Sequence, residues 1–182
     1  MGDYARRHVG RAPAPALRRV LLGLAGLVMA QQIHAVEPGQ AAPDCLLAQL
    51  GATPPVDLRE LRGRVVYVDF WASWCAPCRK AFPFLNMLEA ELGQRGLQVI
   101  GVNVDEDAAS ARKFLERVPA RFSVGRDQGG RCPRAFGVQA MPSSYLIDRS
   151  GVVRYVHLGF RPEDAALLRG RVEQLLAETG GR

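Results

Sequence analysis

Two cysteines held two residues apart, Cys75-Ala76-Pro77-Cys78, can interconvert between a dithiol and a disulfide, and that chemistry is thiol–disulfide exchange. The flanking residues say where the pair sits. Upstream, Val65-Val66-Tyr67-Val68-Asp69-Phe70 is an apolar run of strand formers; downstream, Phe82, Leu85, Leu88, Glu89 and Leu92 follow a helical period with the apolar members on one side. The motif therefore lies where a strand hands over to a helix. At a helix N-terminus the unpaired N–H groups and the positive end of the dipole favour a thiolate, which is the attacking species. Cys75, at the start, is expected to be the exposed nucleophile with a lowered pKa, and Cys78, one turn in, to be shielded and to resolve a mixed disulfide. The competing use of such spacing is half of a structural zinc site. That needs a second tight ligand pair, and the remaining cysteines, Cys45 and Cys132, are isolated, so no metal is assigned.

The elements that must position this pair follow from the rest of the pattern. A hairpin is expected first, with strands near 45–50 and 55–58 around Gly51. The strand over 65–70 leads into an active-site helix over about 76–92, which Pro83 should kink because it has no N–H to donate. A buried strand over 98–104, a helix near 108–117, a short strand around 122–124 and a helix near 130–136 come next. An antiparallel pair, 144–147 and 152–157, turns at Arg149-Ser150-Gly151, and a last helix spans 162–177. Strands alternating with helices and then a hairpin make an α/β fold, a mixed sheet with helices on both faces.

The chain resembles the thioredoxin superfamily, and within it the exported TlpA/ResA/DsbE-like thiol–disulfide oxidoreductases. The resemblance rests on Ala42-Pro43-Asp44, on Leu61 to Val66, on Val68-Asp69-Phe70-Trp71-Ala72-Ser73-Trp74-Cys75, on Gly101-Val102-Asn103-Val104-Asp105 and on Phe136 to Asp148, in the family's order from about residue 40 onward. It implies a thioredoxin-like mixed sheet with an extra N-terminal β-hairpin. It also implies that Pro142 is cis and faces the disulfide, leaving a backbone edge for an extended substrate; composition and spacing alone would equally allow an ordinary trans proline at a strand start. Met141 would then border Cys75, either tuning substrate choice or filling a gap. Trp74, Met141 and Pro142 are thus the substrate-binding candidates.

Asp69 lies six residues before Cys75, where thioredoxin has a buried aspartate thought to take up the proton as the second cysteine attacks. TlpA/ResA-like members often have asparagine there, and the alternative role is a buried carboxylate merely hydrogen-bonded to backbone. A carboxyl in an apolar site tends to a raised pKa, which suits proton exchange near neutrality, so Asp69 joins Cys75 and Cys78 as a catalytic candidate. Relatives resembling cytochrome c maturation reductases often carry glutamate three residues after the second cysteine; here the residue is Ala81, which weakens assignment to that pathway. Trp71, Trp74 and His157 read as packing residues, Trp74 also as a shield for Cys75. Cys45 and Cys132 could bridge, but a free buried thiol is the simpler expectation for a domain large enough to build its own core.

The first residues are a separate matter. Arg6, Arg7, Arg11, Arg18 and Arg19 precede an apolar stretch from Val20 to Ala30. Those eleven residues suit a signal-peptide core and fall short of the roughly 20 a spanning helix needs. Residues 1–35 therefore read as an export signal cleaved after Ala30 or Ala35, with an uncleaved membrane anchor as the alternative and with Arg18-Arg19 loosely resembling a twin-arginine signal. Residues 36–182 form the thioredoxin-like domain, and the expected location is periplasmic. Formal charge is +6, but the five arginines and Asp3 before residue 36 account for +4, and the remaining +2 is too little for a surface that tracks phosphates. Nucleic acid is excluded on that ground.

The resulting reading is a disulfide reductase that needs no prosthetic group, takes electrons from an upstream membrane or periplasmic thiol donor and passes them to oxidised substrate proteins. Direction rests on Ala76-Pro77, which lacks the histidine that strongly oxidising relatives place between the cysteines; Arg79 and Lys80 pull the other way. An oxidase or isomerase is the alternative within the fold. A copper-handling module using Cys75, Cys78 and Met141 is the alternative outside it, although such carriers want wider cysteine spacing and a distal histidine, and His157 is the only histidine after the motif.

Overall fold

One strand builds both layers of the core. β3 (Val65–Trp71) is buried along its whole length, and because successive strand residues face opposite ways, Tyr67 and Trp71 enter one apolar cluster while Val66, Val68 and Phe70 enter the other. The computed structural model describes residues 35–50 and 54–178. The expected signal segment, apart from Ala35, and the hairpin turn at Gly51 lie outside the described residues.

The other strands are β1 (Leu46–Gln49), β2 (Val56–Asp57), β4 (Leu97–Asn103), β5 (Ser123–Arg126), β6 (Ser143–Ile147) and β7 (Val153–Leu158). They join β3 in a seven-stranded sheet of order β2-β1-β5-β4-β3-β6-β7. β3, β4 and β5 run parallel, and every other neighbour pair is antiparallel. The helices are α1 (Ala76–Leu92), α2 (Ala108–Arg117), α3 (Arg131–Phe136) and α4 (Asp164–Ala177). Phe82, Leu85 and Leu88 of α1, Phe114 of α2, and Leu168 and Val172 of α4 cover one face. Phe136 and Cys132 of α3 cover the other, where Phe70, Phe136 and Tyr145 interlock with ring centroids 4.9–5.7 Å apart.

The expected α/β architecture, hairpin included, is the observed one. α1 stays helical through Pro83. Two short 3-10 turns, Leu58–Leu61 and Gly93–Arg95, are additions the pattern does not announce. So is the docking of the hairpin: β1 also pairs antiparallel with β5, opposite Arg126 and Gly125. Gly125 permits it, because a Cβ there would sit 2.6 Å from the Leu47 Cβ.

Candidate active site

β3 ends at Trp71, and α1 begins five residues later with Cys75 as its N-cap. The Cys75 Sγ accepts a hydrogen bond from the Cys78 N–H at 3.1 Å, satisfying one of the donors a helix start leaves unpaired. Pro77 falls in the first turn, where its missing N–H costs nothing. Cys75 and Cys78 are joined as a disulfide, with Cα atoms 5.3 Å apart. Solvent reaches 4 % of Cys75 and none of Cys78. The order of access is the expected one, but Cys75 is nearly buried in this bridged state rather than exposed, because Ala72, Phe82 and Trp71 pack in the same cluster.

The loop carrying the motif is held from β4. Asp105, just beyond that strand and buried, accepts from the Ser73 N–H at 3.0 and 3.2 Å and from the Ser73 hydroxyl at 3.1 Å. The Asn103 side-chain amide donates to the same carboxylate at 2.8 Å. Sequence reasoning saw the segment from Gly101 to Asp105 but assigned Asp105 no role; its position at the end of a strand neighbouring β3 was the available signal.

Asp69 lies on β3 and is fully enclosed. Burial raises its pKa to about 7, and the Ser144 hydroxyl, donating to Oδ1 at 2.7 Å, pulls the other way. Oδ2 has no hydrogen-bond partner. Asp69 shares the α1 face of the sheet with Tyr67 and Trp71 and thus lies on the same side as both cysteines. Ser144, a site neighbour that sequence reasoning did not single out, stands directly opposite Asp69 in the β3–β6 ladder.

The Met141-Pro142 bond is cis. Pro142 is buried, and its carbonyl accepts from the Gly159 N–H at 2.8 Å, tying this loop to the end of β7. Met141 is half-buried and packs against both apolar clusters. Trp74 departs from the expectation of a packing residue: it is 74 % exposed beside Cys75, since the turn into α1 directs it off the sheet. Trp71 is wholly buried, edge-on to Phe82. His157 is not simple packing either; its Nε2 lies 3.3 Å from the Asp164 carboxylate. Among the described residues no group of three or more His, Cys, Asp or Glu could hold a metal ion.

Cys45 and Cys132 overturn the expectation of free thiols. They are bridged, with Cα atoms 5.4 Å apart across 87 residues, on the opposite face of the sheet from Cys75 and Cys78. The β1–β5 pairing is the cause: it brings the start of β1 beside the helix that follows β5.

Comparison with known proteins agrees with this geometry. The sequence profile of the Redoxin family, described as Redoxin, matches residues 37–173. The thiol-disulfide oxidoreductase ResA of Bacillus thuringiensis subsp. konkukian is 30 % identical over 138 residues, spanning 74 % of this chain and 79 % of that protein. The thiol-disulfide oxidoreductase ResA of Geobacillus thermodenitrificans is 34 % identical over 125 residues, spanning 69 % and 71 %. A crystal structure from Chlorobium tepidum, provisionally a thiol:disulfide interchange protein DsbE, superimposes with a TM-score of 0.75 at 45 % identity, covering 79 % of this chain and all of that one.

Proposed function

The chain belongs to the Redoxin family of thioredoxin-like proteins and is a thiol-disulfide oxidoreductase, and from that premise we propose that it works as a reductase of disulfides in exported proteins, with Cys75 as nucleophile, Cys78 as resolving thiol and Asp69 as proton acceptor. The reduced Cys75 thiolate attacks a substrate disulfide; one substrate sulfur leaves as thiolate and the other becomes bonded to Cys75. The Cys78 sulfur then attacks the Cys75 sulfur, its proton passes to Asp69, and the second substrate thiolate departs. A thiol donor regenerates the dithiol. Trp74, next to Cys75 in the chain, and Met141 and Pro142 of the cis-proline loop receive the substrate.

The single observation behind this reading is a disulfide capping a helix above an enclosed carboxyl whose pKa is about 7. Such a group is near half-ionised at neutral pH and so can accept a proton or give one up. The reducing direction draws on the exposure of Arg79 and Lys80. Their charges are screened by solvent and add little to thiolate stability.

Location belongs to the same proposal: residues 1–35 act as an export signal or anchor, and residues 36–182 work outside the cytoplasm. No helix among the described residues is long and apolar enough to cross a membrane. The deciding measurement is the reduction potential of Cys75–Cys78 against a thiol buffer. A value near thioredoxin's roughly −270 mV is expected; one near DsbA's roughly −120 mV would reverse the direction of electron flow.

A further inference from the structure

Asp69 is walled in, so a proton it takes from Cys78 needs a way out. On its β4 side the ladder partner is Gly101, and the space above that glycine is filled: a Cβ there would come within 3.0–3.2 Å of Phe122, Trp71 and Val124. No side chain from that partner reaches the carboxyl. On the other side the ladder partner is Ser144, whose own partner across β6–β7 is His157. Residues directly opposed in antiparallel ladders share a face, with Cβ atoms about 4.5–5.5 Å apart. Asp69, Ser144 and His157 therefore form one polar row across three strands, in a face otherwise filled by Tyr67, Trp71 and Leu146.

The row ends at Asp164, at the start of α4, where the His157 Nε2 makes an ion-pair contact at 3.3 Å. Exposure rises along it, from 1 % at Asp69 and 2 % at Ser144 to 17 % and 24 % for the side chains of His157 and Asp164. The other titratable or charged groups facing the row are Cys75 and Cys78 of α1, Tyr67 of β3, Arg161 before α4, and Arg171 of α4, which stacks 4.8 Å over the ring of Tyr155. The Tyr67 hydroxyl is also a hydrogen-bond partner of Ser144; burial keeps it protonated, so it can hold the serine oxygen but takes up no net proton.

We propose that Ser144 and His157, with Asp164 as counter-ion, carry the proton between Asp69 and solvent. This rests on the reading of Asp69 as the proton acceptor. After Cys78 attacks, protonated Asp69 gives its proton to the Ser144 oxygen while the Ser144 hydroxyl proton passes to the His157 ring. The imidazolium, held by the Asp164 carboxylate, releases that proton to water. A serine hydroxyl both donates and accepts, so the bond seen from Ser144 to Asp69 reverses by rotation. Histidine suits the outer step because one ring nitrogen can accept a proton while the other donates one.

The test follows the protonated carboxyl band by time-resolved infrared after the reduced, full-length protein is mixed with a peptide disulfide. Asp69→Asn identifies the band by removing it. His157→Gly and Ser144→Ala should slow its decay about tenfold or more, and imidazole added to His157→Gly, but not to Ser144→Ala, should restore it. His157→Gln carries the same expectation of slowing should the glycine variant not fold. A band that decays at the wild-type rate in these variants overturns the route while leaving Asp69 as acceptor. Should the wild type show no such band, and Asp69→Asn resolve mixed disulfides at the normal rate, the Asp69 reading itself fails and the route with it.

Discussion

The same covalent bond occurs twice in this molecule, once on each face of the sheet, and the surroundings differ in kind. Cys75 and Cys78 are three residues apart in one continuous turn, so breaking their bond releases no large loop. They share their face with an enclosed carboxyl and a polar row that reaches the surface. Cys45 and Cys132 close 87 residues and tie the entry of β1 to α3, against Phe70, Phe136 and Tyr145. Accessibility does not separate the two pairs, since all four cysteines are at most 4 % exposed. What separates them is whether the fold depends on the bond and whether a proton can be handled beside it.

The sharpest way to break this comparison is to remove each bond in turn. Cys75→Ser should lower peptide disulfide reduction by on the order of 10³-fold or more, as expected for loss of a nucleophile, with a small change in melting temperature. Replacing both Cys45 and Cys132 by alanine should leave that rate within about twofold but cost about 2–4 kcal/mol of stability, the usual range for a disulfide and below the chain-entropy value of about 4.6 kcal/mol for a loop of this length. Denaturant unfolding and a steady-state assay on the same samples decide it. A bridge-free protein that keeps its stability but loses its rate would assign the redox role to the wrong face.

That contrast also marks what the sequence could and could not convey. Local patterns were legible: the apolar run from 65 to 70, the helical period after Cys78 and the Pro142 strand are each read within a few residues, and every expected element is present within two or three residues of its expected ends. The Cys45–Cys132 bond was not, because it depends on β1 pairing with β5, a contact between distant segments that no local spacing encodes. His157 and Ser144 were missed for the same reason. Each looks like an ordinary strand residue until ladder register sets them in line with Asp69. Asp69 was legible through resemblance to a family, whereas its hydrogen-bond partner was not.

A smaller effect sharpens the chemistry of the redox face. Asp69→Asn should slow resolution of the mixed disulfide by about 10²-fold, the lower end for acid–base help, and should abolish the rise in that rate as pH passes about 7, where the carboxyl ionises. Stability follows with a definite sign. The folded pKa lies above the ordinary 3.8, so between roughly pH 4 and 7 the folded state binds the extra proton and wild-type stability falls as pH rises. At about 1.4 kcal/mol per pKa unit the rise from 3.8 to about 7 makes the loss of order 4 kcal/mol over that interval, and the Asn variant should lack it. Urea melts at pH 5 and pH 8 measure this; parallel pH dependence in both proteins would return Asp69 to a merely structural role.

The smallest effect uses two adjacent residues of β6 that face opposite ways. Ser144 donates to Asp69 on the redox face; the Tyr145 hydroxyl donates to the Phe136 carbonyl at 3.0 Å on the other. Both are nearly inaccessible. Tyr145→Phe removes the donor while keeping the ring against Phe70 and Phe136. The Phe136 carbonyl keeps the Val36 N–H at 3.3 Å, so the loss should cost at most about 1 kcal/mol of stability. Because α3 also leads into the loop bearing Met141 and Pro142, a modest rise in KM is compatible with the two-face division. A shifted pH dependence of the resolving step is not, since no titrating group of the redox face has been touched. Ser144→Ala should do the opposite: it removes the donor that pulls the Asp69 pKa down and moves the rate profile to higher pH. If Tyr145→Phe moved that profile as far as Ser144→Ala, the two faces of the sheet would be electrostatically one site.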